Sequence, residues 1–126
     1  MYIDTNIIID LLRGEINSQN FFQNFSGIIK TSIIVKLELI DGLETKGEIS
    51  RLQKRIFDYF QIEVIHINEE ISQIAENIFT DFRHSRGISI NYSLIAATAI
   101  YLGEPLSTHN VKHFNFIPQL ELIKPY

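Results

Sequence analysis

Short strand-like runs alternate along this chain with longer runs of helical periodicity, and that alternation limits the folds open to it. Tyr2-Ile3-Asp4, Ile28-Ile29-Lys30, Val64-Ile65-His66-Ile67, Leu106-Ser107-Thr108 and Glu121-Leu122-Ile123 read as strands. Between most of them, apolar residues return every three or four positions, as on one face of a helix. Thr5 to Leu12 is one such run, stopped near Gly14. Phe21, Phe22 and Phe25 share a second face ahead of Gly27. Ser32 is a good N-cap for a helix over 33–43. Ile49, Leu52, Ile56 and Phe60 mark one amphipathic helix after it. Asn68 is expected to cap a helix with Ile71, Ile74, Ala75, Ile78 and Phe82 on its apolar face, ended by Gly87. Asn91 is expected to cap the last helix. Its stretch from Leu94 to Leu102 is apolar nearly all round, which suits a central, buried place. A strand reaches a parallel partner only through a crossover, so helices between strands favour a parallel sheet. The expectation is an α/β domain, a mostly parallel central sheet with helices on both faces.

With 126 residues and no linker, repeat or low-complexity tract, the chain reads as one domain over 1–126. Its 45% hydrophobic and 21% charged content exclude a disordered or collagen-like chain. The absence of cysteine excludes a disulfide scaffold, a thiol nucleophile and a cysteine-ligated metal site. The start, Met1-Tyr2-Ile3-Asp4, does not read as a signal peptide. The longest apolar stretch, Ser93 to Leu102, is well short of the roughly 20 residues of a membrane span. A cytoplasmic protein is therefore expected. The net charge of −4 argues against coating nucleic acid by bulk electrostatics. It leaves a nuclease open, because a carboxylate metal site is itself acidic and bound cations offset it.

In an open parallel sheet, ligands bind outside the carboxyl ends of the strands. Asp4 ends the first strand. Thr108, His109 and Asn110 end a later one, and Glu38 lies one turn into the helix after the second strand. Such hard oxygen ligands suit magnesium or manganese better than zinc. Each residue also has a plainer reading. Asp4 serves equally as an N-cap, Glu38 as the wet edge of a helix and Asn110 as a turn cap. His113, beside Phe114, reads first as a packed histidine. Lys46, Arg51, Lys54 and Arg55 form a basic stripe of the kind usually solvated. Leu52, Ile56 and Phe60 serve either helix packing or an apolar partner segment.

Four blocks, taken together, resemble the PIN-domain family and, within it, the VapC-type toxins of bacterial toxin–antitoxin pairs. The opening Tyr2-Ile3-Asp4-Thr5-Asn6 is similar to the family's strand followed by Asp-Thr-Asn. Ser32-Ile33-Ile34 through Glu38-Leu39-Ile40-Asp41-Gly42 resembles its Ser…Glu-Leu-x-x-Gly helix. Leu94-Ile95-Ala96-Ala97-Thr98-Ala99 looks like its central helix. Pro105 to Phe114, with Thr108-His109-Asn110, resembles its Thr-x-Asn block. The blocks run in the family's order and span the whole chain. The resemblance implies a metal-dependent endoribonuclease acting on transfer RNA or another structured RNA, with Mg2+ or Mn2+ as cofactor. It also implies a VapB-type antitoxin and a toxin homodimer. By the same resemblance, Asp4 and Glu38 would bind the metal. Asn110 and Thr108 would support the metal or the scissile phosphate, and Thr5 and Asn6 would shape the first loop.

One position departs from the pattern. Two residues before Leu94-Ile95-Ala96-Ala97 the family places an Asp, and here stands Tyr92. A phenol is neutral at pH 7 and a poor magnesium ligand. The family's last acid, near Asn110 or His113, is absent as well, so two carboxylates remain of a nominal four. The resemblance therefore implies an impaired ribonuclease. Two further readings stay open. One is a catalytically dead module that binds antitoxin or RNA. The other is a phosphoryl-transfer domain with Asp4 as nucleophile, against which Asn6 stands where a second Asp is usual.

Overall fold

Tyr2 and Ile3 form the central strand, β1 (Tyr2–Ile3), and neither is accessible to solvent. This is a computed structural model covering residues 1–126. On one side β1 pairs with β2 (Lys30–Ser32), which pairs with β3 (Glu63–Ile65). On the other side it pairs with β4 (Leu106–Ser107), which pairs with β5 (Leu122–Ile123). Every pairing is parallel, and the strand order is β3-β2-β1-β4-β5.

The helices are α1 (Thr5–Leu12), α2 (Ile16–Asn24), α3 (Ile33–Asp41), α4 (Lys46–Leu52), α5 (Glu69–Arg86) and α6 (Ile90–Leu102). The chain steps outward from β1 to β2 and β3, then crosses back to β4 beyond β1. Parallel crossovers are almost always right-handed, so the two directions of travel are expected to set α1–α4 and α5–α6 on opposite faces of the sheet. The α/β expectation is met, and the sheet is parallel throughout.

The apolar stretch of α6 is the centre of its layer. Ile95, Ala96, Ala97, Thr98 and Ala99 are all fully buried. The three alanines keep the helix slim, so it can lie close to its neighbours. The Tyr2 hydroxyl crosses from the sheet and donates to the Ile95 carbonyl at 2.8 Å. Burial raises the Tyr2 pKa far above the ordinary tyrosine value. Tyr2→Phe is expected to cost about 1 kcal/mol of stability. Urea unfolding would show it as a lower midpoint at unchanged slope.

Four local expectations are corrected. β2 begins at Lys30 rather than Ile28, because β1 offers only two residues and they pair with Lys30 and Thr31. Ile28 is left 60% exposed despite its strand propensity. α3 ends at Asp41, with Gly42 as its C-cap, rather than at Leu43. The run from Ile49 to Phe60 is not one α-helix, since α4 passes into a π-helical turn over Gln53–Asp58. That wider turn brings Phe57, five residues after Leu52, into the core beside Ile56.

The fourth correction concerns the start of α6. Ser89, not Asn91, is its N-cap, accepting from the Tyr92 N–H at 3.0 Å. Asn91 lies inside the first turn and is exposed.

Candidate active site

The chain reverses its direction of travel across the sheet between β1 and β4, and the crevice outside their carboxyl ends holds the polar residues that matter. Asp4 follows β1 and Thr108 follows β4. Their strands are tied there by the Asp4 N–H donating to the Ser107 carbonyl at 3.0 Å. The Asp4 carboxylate is only 1% exposed. Its Oδ1 accepts from the Thr5 N–H at 2.7 Å, and its Oδ2 accepts from the Thr108 hydroxyl at 2.8 Å. Asp4 is thus both the N-cap of α1 and a buried acid, so the two readings of this residue hold together.

The same turn reaches Glu38. The Thr5 hydroxyl donates to Glu38 Oε1 at 3.4 Å, joining α1 to α3. Burial raises the pKa of both acids, and for Glu38 the nearby Asp4 charge adds to it. Neither acid takes part in an ion pair. Thr108 is fixed in turn, because its hydroxyl oxygen accepts the Asn110 N–H at 2.9 Å.

Thr108→Val would remove the hydroxyl that bonds the Asp4 carboxylate. That bond lowers the Asp4 pKa, so its loss is expected to raise the pKa further. NMR titration of the Asp4 carboxyl carbon would measure the rise. The buried, charge-assisted bond should also be worth about 1.5–3 kcal/mol of stability.

Tyr92, in the first turn of α6, is near enough to both acids to feel their charges. Its ring lies 5.0 Å from the His113 ring and meets Phe114 edge-on at 5.1 Å. Burial raises its pKa first, and the charges of Asp4 and Glu38 raise it further, so the phenol stays neutral at pH 7. His113 is itself exposed, and as a cation it favours the Asp4 carboxylate.

Asp4, Thr5, Glu38, Thr108, Asn110 and Tyr92 therefore gather at one crevice. Asn6 does not join them through any hydrogen bond, and its Oδ1 is buried without a partner. Two residues were missed by sequence reasoning. Asp41 and Asn91 line a space of about 300 Å³ together with Glu38, Ile34 and Leu37. Asp41, three residues after Glu38, shares its helix face, a legible signal. Asn91 was hidden by its assignment as a cap.

No group of three or more acids and histidines gathers as a closed metal cage. The donors that are present suit an ion which keeps most of its water. Magnesium commonly binds through one or two carboxylates plus waters and substrate phosphate. Asp4 and Glu38 could supply such carboxylates, since the charge of Asp4 acts on Glu38 and a cation between them would relieve both.

The PIN domain family model matches residues 1–115. Ribonuclease VapC19 of Mycobacterium tuberculosis is 35% identical over 124 residues, covering 94% of this chain and 95% of its own length. Ribonuclease VapC of Rickettsia bellii is 28% identical over 129 aligned positions, covering 98% and 94%. Among solved structures, VapBC-1 from nontypeable Haemophilus influenzae superposes with a TM-score of 0.77 at 25% identity, covering 98% of this chain and 96% of that one. VapBC2 from Rickettsia felis, bound to a DNA fragment from its promoter, gives the same score, identity and coverage. DNA-bound VapBC from Salmonella typhimurium has the same fold, with a TM-score of 0.79 at 20% identity and coverage of 99% and 97%. The two acids that follow β1 and β2 thus sit on a shared scaffold, and this chain belongs to the PIN domain family, alongside the VapC proteins.

Proposed function

We propose that this chain is a VapC-type endoribonuclease toxin, with Asp4 and Glu38 as the carboxylates of a Mg2+ or Mn2+ site. Its proposed reaction is hydrolysis of phosphodiester bonds in structured RNA, transfer RNA being the first candidate. The observation that carries the reading is the meeting of these two acids, with raised pKa values and no ion-pair partner, outside the carboxyl ends of β1 and α3's preceding strand β2. The names of the curated relatives support the reaction class.

A divalent cation bound there would supply Lewis acidity and lower the pKa of a water. The chain's own residues prepare for it. The Thr5 N–H and the Thr108 hydroxyl fix both oxygens of Asp4, so little reorganisation remains when charge develops. The Thr5 hydroxyl orients Glu38. Asn110, whose backbone is held by Thr108, would offer its side-chain amide to a bound cation's water or to phosphate. Asn6 and Thr5, in the first turn of α1, shape the loop that presents Asp4. Tyr92 takes the space of a third carboxylate, with a neutral phenol and a bulkier ring, and so lowers activity.

The second reading, a dead module that binds antitoxin or RNA, is favoured by Tyr92 alone. RNA cleavage with Mn2+ and with chelator separates the two. The toxin reading expects weak cleavage that chelator abolishes. Cleavage unchanged by chelator would overturn the metal assignment.

A VapB-type antitoxin is the proposed partner, in keeping with the VapBC complexes among the structural neighbours. Leu11, Leu12, Leu43, Leu52 and Ile56 line a groove of about 380 Å³, rimmed by Arg51, Arg55 and Glu48. An apolar segment carrying acidic residues would suit it. Leu52 and Ile56 are themselves buried and form the groove's wall rather than free anchors, while Phe60 packs on Phe22 at 5.2 Å, outside the groove. A homodimer is proposed, with Leu37 on α3 and Ile90 on α6, 52% and 63% exposed, as candidate contacts. No helix is long and apolar enough to cross a membrane, and a cytoplasmic location is proposed with the toxin reading.

A further inference from the structure

The segment after β5 returns to the candidate site from behind. Tyr126 is its anchor. Its hydroxyl donates to Asp10 Oδ2 on α1 at 2.8 Å. Its ring packs 4.7 Å from the His109 ring and 5.9 Å from that of Phe21 on α2. Partial burial, together with the Asp10 and Glu15 charges, pushes the Tyr126 pKa up to about 12, so the hydroxyl remains a donor at neutral pH.

His109 stands between Thr108, which donates to Asp4, and Asn110, which donates to Thr108. The imidazole Nε2 is buried and has no hydrogen-bond partner. Polar bonds therefore do not hold this ring at Nε2, and packing against Tyr126 does. The backbone agrees, since the Thr108 N–H donates to the Ile123 carbonyl at 2.9 Å, three residues before Tyr126. A closed circuit results. Asp4 caps α1, α1 carries Asp10, Asp10 holds Tyr126, Tyr126 holds His109, and His109 leads back to Thr108 and Asp4.

We propose that Tyr126 is a positioning residue, whose ring, fixed by Asp10, presses on His109 and keeps the Thr108–Asn110 loop within reach of Asp4. Its consequence for catalysis rests on the ribonuclease reading. Its consequence for the loop does not. Small displacements at a reacting centre cost large factors in rate, so the clamp matters beyond the contacts it makes.

The test uses amide hydrogen exchange and RNA cleavage on the full chain. Tyr126→Ala removes the ring and the hydroxyl, Tyr126→Phe removes the hydroxyl alone, and Asp10→Asn weakens the hydroxyl's acceptor from the other side. In Tyr126→Ala, exchange at Thr108 and Asn110 is expected to quicken about tenfold or more, while amides of α5 and α6 keep their rates. Tyr126→Phe and Asp10→Asn should give smaller changes at the same two amides. In a Tyr92→Asp background, Tyr126→Ala is expected to lower kcat about tenfold and leave KM nearly unchanged. Equal quickening across the whole sheet would mean a merely structural contact and overturn the proposal. So would unchanged exchange at Asn110. If Tyr92→Asp cleaves no RNA, the ribonuclease reading fails, and the exchange result still decides the role of Tyr126.

Discussion

Tyr92→Asp should raise metal-dependent RNA cleavage about 100-fold or more over the unsubstituted chain. The factor follows from what the substitution changes. Loss of a group that merely orients a metal ligand typically costs about 10–100-fold, so restoring a direct carboxylate ligand should gain at least that much. The new carboxylate would stand in the first turn of α6, where the helix N-terminus favours an anion. It would face the charges of Asp4 and Glu38, which already act on the Tyr92 phenol. Three acids crowded together repel one another, so the substitution should also destabilise the metal-free protein. Added Mn2+ should reverse that loss, because a ligand that binds only the folded state stabilises it, by about 2.7 kcal/mol at a hundred times its dissociation constant. The expected pattern is a variant less stable than its parent in chelator and more stable in Mn2+. A rise in activity without this reversal would mean that position 92 acts through its size and not as a ligand.

Asp4→Asn should abolish cleavage while leaving the metal-free fold as stable as its parent, or more stable, at neutral pH. The pKa of Asp4 is raised in the folded state, chiefly by burial. Between the unfolded value of about 3.9 and the raised folded value, the native state binds more protons than the unfolded chain. Stability contributed by Asp4 is therefore present at low pH and falls as pH rises through that window. Glu38 has the same sign. As pH rises and the two carboxylates ionise, each does so at a cost to the fold, and Asn at position 4 removes one such cost. Its side-chain oxygen can still accept the Thr5 N–H that caps α1, and its amide N–H can donate to the Thr108 hydroxyl oxygen, replacing the bond that Thr108 gives to Asp4. Urea titrations from pH 4 to pH 7 should show stability falling in the parent and falling less in Asp4→Asn. An Asp4→Asn chain clearly less stable than its parent at pH 7 would show that the hydrogen bonds to the ionised Asp4 outweigh the cost of burying its charge.

Much of this was legible in the sequence, and the reasons differ by element. The strands and helices were marked by periodicity and by caps such as Ser32 and Asn68, whose side chains accept backbone N–H groups as expected. The convergence of Asp4, Glu38 and Thr108 followed from a general rule, that ligands gather at the carboxyl ends of parallel strands. Register was not legible at β2, because Ile28 and Ile29 have the stronger strand propensity while a two-residue partner decides the pairing. The π-helical turn at Gln53–Asp58 was hidden, since Ile49, Leu52 and Ile56 keep an ordinary helical spacing on either reading. Asn91 competed with Ser89 as a cap two residues away, and local chemistry does not rank them. The Tyr126–His109 contact joins residues seventeen apart through tertiary packing that no local pattern encodes.

The most direct test is a calorimetric titration of Mn2+ into three full-length chains: the unsubstituted protein, Tyr92→Asp and Asp4→Asn. The account expects weak binding by the first and tighter, one-site binding by the second. It expects none by the third. Equal binding by Asp4→Asn and its parent would contradict it, because the cation would then lie elsewhere and the crevice between Asp4 and Glu38 would not be the metal site.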